Sequence, residues 1–242
     1  MLMWRGLLSL LILILIWQVL VMAFHLPVYI LPSPYEVLQA LIVHASLIMA
    51  NAIPTVVETL TGLLLGILLG AIIALALAQV VIIRYWLLPI IIAGQAIPTF
   101  AIAPLLVLWF GYGMTSKIIT VMLMLFFPVA SAFYEGLTRT KSEWLDMAKI
   151  MQGKNYLVLW HLRIPHALPN LAVGIKVATA LAPIGAVISE WVGASKGLGF
   201  LMLNASARLE IPLMFACIAV ITLFSLSLYG IVNKVLATTI KW

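Results

Sequence analysis

Charge is what this 242-residue chain lacks most. Asp, Glu, Lys and Arg make up 8% of it and hydrophobic residues 65%, whereas soluble domains carry about 25% charged residues. That poverty indicates a polytopic membrane protein. Cysteine is nearly absent as well. Cys217 stands alone inside an apolar run, so no disulfide framework or thiolate metal site is available. There is no His-Glu-x-x-His pair, no Ser/His/Asp set placed for hydrolysis and no Gly-x-x-x-x-Gly-Lys-Ser/Thr loop. The nearest approach to a phosphate loop, Gly193-Ala194-Ser195-Lys196-Gly197-Leu198-Gly199, has the wrong order and no preceding strand, and reads as an outer turn. These absences predict no catalytic residue, no metal and no cofactor bound by this chain. The net charge of +6 comes from basic residues scattered singly. That pattern matches the orientation of membrane loops better than a nucleic-acid stripe.

What is present is a series of long apolar runs. Residues 6–24 suffice to cross about 30 Å of hydrocarbon, and no small-x-small cleavage site follows, so they are read as a retained first span. Ser33-Pro34-Tyr35-Glu36 then combines an N-cap serine, a proline and a glutamate in the order that starts a helix. It predicts an outer interfacial helix to about Asn51, carrying Glu36, Gln39 and His44. Thr55 and Glu58 repeat the capping-box spacing and predict the start of a second span, uncharged over residues 59–83. Within it Gly62, Gly66 and Gly70 share one face, where another backbone can approach closely. The uncharged stretch 85–116 is too long for one straight span, and Pro89, Pro98 and Pro104 divide it. Gln95 and Thr99 fall in that interruption. Broken backbone at membrane depth is tolerated where it lines a watery cavity, so both are candidate lining of a translocation pathway, with simple kinking as the other reading. Residues 118–134 give a fourth span and 171–191 a fifth. Lys176 and Glu190 lie in the fifth, about 21 Å apart on a helix, too far to pair. Lys176 is expected to snorkel to the inner interface, and Glu190, near the outer end, is a third pathway candidate. Glu210-Ile211-Pro212 opens the sixth.

The long polar interruption is 140–169. Thr140 and Glu143 stand at capping-box spacing and predict a short helix from about Lys141 to Met151. Gln152-Gly153 predicts its end, with Gly153 supplying the positive φ. A second short helix is expected from Tyr156 to Leu162, stopped by Pro165 and Pro169. Eight of the 20 charged residues fall between Glu135 and Arg163, which makes this helix–turn–helix a contact surface for a soluble partner. With six spans and the amino terminus inside, nine basic residues (Arg5, Arg84, Arg139, Lys141, Lys149, Lys154, Arg163, Lys234, Lys241) face inward and three (Lys117, Lys196, Arg208) outward. The positive-inside tendency then places both termini and the loop in the cytoplasm.

The interruption also resembles the cytoplasmic EAA loop of permease subunits of ABC importers, whose pattern is Glu-Ala-Ala, three residues, Gly, nine residues, Ile, one residue, Leu-Pro. Asp146-Met147-Ala148 stands for the triplet and Leu162-Arg163-Ile164-Pro165 for the end. Gln152 occupies the glycine position, with Gly153 one place later. The resemblance implies an all-α, MetI-like polytopic fold of about six transmembrane helices. Residues 1–52 would form the first span and outer helix, and 53–235 the transport domain with its coupling loop 140–169. It further implies that Glu143, Asp146, Met147, Ala148, Lys149, Gln152, Gly153, Ile164 and Pro165 form the coupling surface. The implied partners are two ATPase subunits, which use ATP and Mg, a second permease subunit completing a homodimer, and a periplasmic or lipid-anchored solute-binding protein. The implied setting is the bacterial cytoplasmic membrane.

Two further stretches narrow the branch. AIPTFAIAPLLVLWFGYGMTSK is similar to the third-span region of permeases that serve sulfonates, nitrate and pyrimidine precursors of thiamine. ATALAPIGAVISEWVGASKGLGFLMLNASARLEIPLMFA is similar to permeases for the hydroxymethylpyrimidine or aminopyrimidine precursor of thiamine. Alkanesulfonate, taurine or nitrate is the alternative cargo. A secondary transporter is the rival of another class. It is disfavoured because charges inside the spans fall toward their ends, whereas such transporters carry internal repeats and midplane charges.

Overall fold

The computed structural model describes the backbone of residues 2–96 and 98–240, almost all of it helical. Helix α1 spans Leu2–Ala23 and α2 Pro34–Val43. The predicted capping box starts α2: Glu36 N–H donates to Ser33 Oγ at 3.3 Å and Ser33 N–H donates to Glu36 Oε2 at 2.7 Å. The helix turns at His44, earlier than the expected Asn51, and α3 then runs unbroken from Ala45 to Gln79. Thr55 and Glu58 therefore do not begin a span; they lie inside one. Thr55 Oγ1 donates to Asn51 O and Thr59 Oγ1 to Thr55 O, bonding back along the helix rather than to free amides at its start. A three-residue spacing marks a capping box and one face of a continuous helix equally.

Helix α4 spans Val81–Ala96 and α5 Thr99–Phe110, with Pro98 as the residue before α5. Pro89 and Pro104 stay inside their helices, so only the middle proline breaks the stretch. The side chains of Gln95 and Thr99 lie outside the described residues. Helix α6, Met114–Thr138, exceeds the predicted span at both ends. Helices α7 (Ser142–Ile150) and α8 (Asn155–Val158) form the polar elbow; α9 is Ile164–Trp191, α10 Leu198–Ala207 and α11 Ile211–Thr239. Pro165 and Pro169 do not stop α8. A π-turn at Leu159–Arg163 joins it to α9, because the wider turn accommodates a proline that cannot donate to the preceding turn. Among the described residues, α3, α6, the run Asn155–Trp191 and α11 are long and apolar enough to cross a membrane, and shorter apolar helices accompany them.

The bundle is organised around α6, clasped between α3 and α9 through small residues. A Cβ placed on Gly62 would lie 2.5 Å from Val121 Cγ1, one on Gly66 2.9 Å from Leu125 Cβ, and one on Gly70 2.8 Å from Phe126 O. The glycine stripe thus serves helix packing, as lipid-embedded helices require. Val121, Leu125 and Val129 of α6 and Ala178, Ala182 and Ala186 of α9 are fully buried, whereas Leu64, Leu68 and Ile72 on α3 point outward.

Candidate functional site

Two polar sites occupy opposite ends of this bundle, since Thr55 and Ala78 are about 35 Å apart along α3. The elbow is the first. Helix α7 has no buried residue. Its amino-terminal cap is Lys141, with no side-chain cap bond; Thr140 Oγ1 donates instead to Leu137 O, so the predicted capping box is absent. The helix ends in a Schellman turn: Gly153 N–H donates to Ala148 O and Gln152 N–H to Lys149 O, both at 2.9 Å. The left-handed residue of that turn is Gln152, with φ 53°, and not Gly153. The turn thus forms at the position where the permease pattern has glycine, with a side chain bearing the strain.

Glu143, Asp146, Met147 and Lys149 are exposed on α7, Gln152 and Gly153 are exposed in the turn, and Ala148 is half-buried. Asp146 and Lys149 form an exposed 2.8 Å ion pair, worth a few tenths of a kcal/mol. Ala148, Lys149 and Gly153 come together with Ala78, Gln79 and Arg163 around a cleft of about 380 Å³. Ile164 and Pro165 sit apart from it, at the foot of α9. The sequence reading missed Ile150, Met151 and Trp144: with Met147 they leave an apolar face 84%, 72%, 43% and 63% exposed, respectively. Their three- and four-residue spacing was the available signal.

The second site is built on Glu190, which is 1% exposed in the last turn of α9. Its Oε1 accepts from Thr55 Oγ1 at 2.5 Å and its Oε2 from Gly199 N–H at 2.5 Å. Gly197 N–H donates to Asn51 Oδ1 and Leu198 N–H to Thr55 Oγ1. Three amides at the start of α10, unpaired by helix geometry, are thereby held by side chains of α3 and α9. Gly197 has φ 127°, and a Cβ there would collide with the Glu190 carboxyl. Glu58, also 1% exposed, lies well inside α3. Lys117 Nζ stands 3.8 Å from Glu58 Oε1. Lys117 is 5% exposed, so it is buried in the bundle and not an outer surface charge. Burying these groups is tolerable only because each charge is paired or hydrogen-bonded. Asn51, Thr55, Glu58 and Lys117 were missed as members of the same buried polar cluster because 73 or more residues separate them from Glu190 in the chain. Among the described residues, no three His, Cys, Asp or Glu side chains gather as metal ligands.

Residues 62–240 match the family model of the binding-protein-dependent transport system inner membrane component, so the match takes in both sites except Asn51, Thr55 and Glu58. The chain belongs to that family. It is 47% identical to a probable ABC transporter permease protein of Haemophilus influenzae, over 90% of this chain and 89% of that protein. It is 35% identical to the riboflavin transport system permease protein RibX of Chloroflexus aurantiacus, covering 97% and 88%, and 30% identical to the formylaminopyrimidine transport permease protein ThiX of Halalkalibacterium halodurans, covering 96% and 93%. The fold matches a chain of the MetNI methionine ABC transporter with a TM-score of 0.69 at 14% identity, covering 81% of this chain and 97% of that one. As a member of this family the chain is a transport subunit of an ABC importer, embedded in the membrane through several apolar helices.

Proposed function

We propose that this permease couples to a pair of ATPase subunits through α7 and moves a small nitrogen heterocycle inward, a pyrimidine precursor of thiamine being the leading cargo. One observation carries the coupling assignment: a short polar helix outside the packed bundle exposes Met147, Ile150 and Met151 together. An apolar face of that kind calls for a partner's socket. The surface comprises Glu143, Asp146, Met147, Ala148, Lys149, Gln152, Gly153, Ile164 and Pro165, extended by Trp144, Ile150 and Met151.

ATP closes the ATPase pair, draws two such elbows together and opens the far end of a permease homodimer. Hydrolysis reverses the motion, and ATP and Mg stay with the partner. The elbow faces the cytoplasm, as do both termini, and a solute-binding protein delivers cargo at the Glu190 end. Gln95, Thr99 and Glu190 are assigned to the pathway or its outer gate. The names of the relatives support the cargo: one carries formylaminopyrimidine and another riboflavin, both nitrogen heterocycles.

The test is uptake into vesicles holding the permease, its ATPase and its binding protein, with labelled aminopyrimidine, riboflavin and taurine offered in turn. Aminopyrimidine uptake that requires all three proteins and ATP is expected. Uptake without the hydrolase overturns the coupling, and uptake of taurine alone overturns the cargo.

A further inference from the structure

Arg163 closes the π-turn between α8 and α9, and its guanidinium reaches across to two other helices. Its Nε and Nη2 donate to Leu137 O at 3.1 and 3.0 Å, and its Nη1 donates to Ala78 O at 3.4 Å. Leu137 is the penultimate residue of α6 and Ala78 the penultimate residue of α3. Carbonyls in the last turn of a helix have no intrahelical partner and sit at the negative end of its dipole. One planar cation therefore bridges both carboxyl ends with a fork that a lysine cannot reproduce. The π-turn makes this possible. It adds one residue to the helical repeat and so turns the following side chains by about 100° relative to those before it; Trp160 stays exposed at 62% while Arg163 faces the bundle.

The elbow hangs from the same place. Trp144 of α7 packs edge-on against His166, ring centres 5.4 Å apart, and Lys141 Nζ lies 5.5 Å from the centre of the Trp144 ring. Force on α7 thus passes to the foot of α9 through Trp144 and His166. From there the hydrogen bonds of Arg163 lead to α3 and α6, beside the buried patch of Ala74, Phe133, Leu137, Leu159 and Ala167.

We propose that Arg163 is the strut of the coupling machinery, a positioning residue that makes the feet of α3, α6 and α9 move with the elbow as one body. This rests on the reading of α7 as the ATPase contact. Without the strut the elbow still docks and ATP is still hydrolysed, but the bundle follows it poorly.

Two measurements on R163M and R163K test it. The first is uptake per ATP hydrolysed in vesicles carrying the complete transporter. Charged hydrogen bonds of this kind sustain about a ten-fold or larger effect, so R163M is expected to lose about ten-fold in that ratio while the ATPase still co-purifies. R163K, with charge but no fork, should lie between R163M and the parent. The second is hydrogen exchange of the permease alone in lipid discs. In R163M the amides at the carboxyl ends of α3 and α6 should exchange faster together with those of 155–163. A ratio within two-fold of the parent in both variants, or faster exchange confined to 155–163, overturns the strut. If R163M fails to accumulate, R163K decides: a reduced ratio at normal yield supports the strut, and a normal ratio overturns it. Hydrolysis without uptake in the parent defeats the importer reading instead, and the exchange pattern still decides the strut.

Discussion

Replacing Glu190 by alanine tests the buried latch most severely. The carboxylate accepts two buried hydrogen bonds, from the Thr55 hydroxyl and the Gly199 amide. Alanine leaves Gly199 N–H without its partner, frees a hydroxyl that also receives Leu198 N–H, and opens a void beside Gly197. Each buried group left unsatisfied costs about 1–3 kcal/mol, and breaking a buried charged arrangement by removing one member costs about 3–5 kcal/mol. E190A should therefore lose about 3–5 kcal/mol. E190Q keeps the shape and one good acceptor, and should lose about 1–2 kcal/mol. Glu58 makes the contrast. Its Oε1 faces the Lys117 ammonium at 3.8 Å, and its Oε2 meets no donor among the described residues. E58Q strips the buried Lys117 of its counter-charge and should lose about 3–5 kcal/mol, but it frees no amide of α10. The assay is denaturant titration of the purified permease in lipid discs, with hydrogen exchange of residues 197–201 as the local readout. E190A and E58Q should both lose more stability than E190Q, whereas exchange at the start of α10 should be fastest in E190A, slower in E190Q and near the parent's in E58Q. An E190A variant within about 0.5 kcal/mol of the parent, or an E58Q variant whose α10 amides exchange as fast as those of E190A, refutes the reasoning.

Further outcomes follow from the same geometry. Gly66→Ile drives a side chain into Leu125, whereas a Cβ on Gly230 meets nothing within 4 Å; the first should lose several kcal/mol and accumulate poorly and the second should match the parent, as membrane yield and denaturant titration will report. Gln152→Gly relieves a left-handed non-glycine residue and should steady the elbow by about 0.5–1 kcal/mol, seen as slower exchange of the Gln152 and Gly153 amides; faster exchange there contradicts the turn assignment. Asp146→Pro or Ala148→Trp should abolish uptake while the permease inserts normally. Loss of insertion instead would make α7 a folding element.

Much of the architecture was legible because it is written in local chemistry. The Ser33–Glu36 cap, the Gly62–Gly66–Gly70 stripe and the Pro98 break each depend on residues within one or two turns, and each appears in the structure. Failures arose where one local pattern serves two purposes. Thr55–Glu58 spacing describes a helix start and a helix face alike, and only the bonds from Thr55 and Thr59 to carbonyls behind them reveal the latter. At the elbow the glycine was credited with the positive φ, but the Schellman bonds assign it to Gln152. Pro165 looked like a stop because a π-turn has no sequence signature of its own. The latch was beyond sequence reasoning. Glu190 stood out as an ionisable group in a span, yet its partners are Thr55 on α3 and Gly199 at the start of α10. No spacing rule joins residues so far apart in the chain.

The central claim is that α7 is the face on which the ATPase seats. A photo-crosslinking residue at Met147 or Ile150, compared with one at Tyr112, which is exposed on the connection between α5 and α6 at the other end of the bundle, tests it directly in membranes carrying the assembled transporter. The account predicts adducts between the α7 positions and the ATPase subunit, with yields that change when ATP is added, and none from Tyr112. No adduct from either α7 position, or equal adducts from Tyr112, would contradict it.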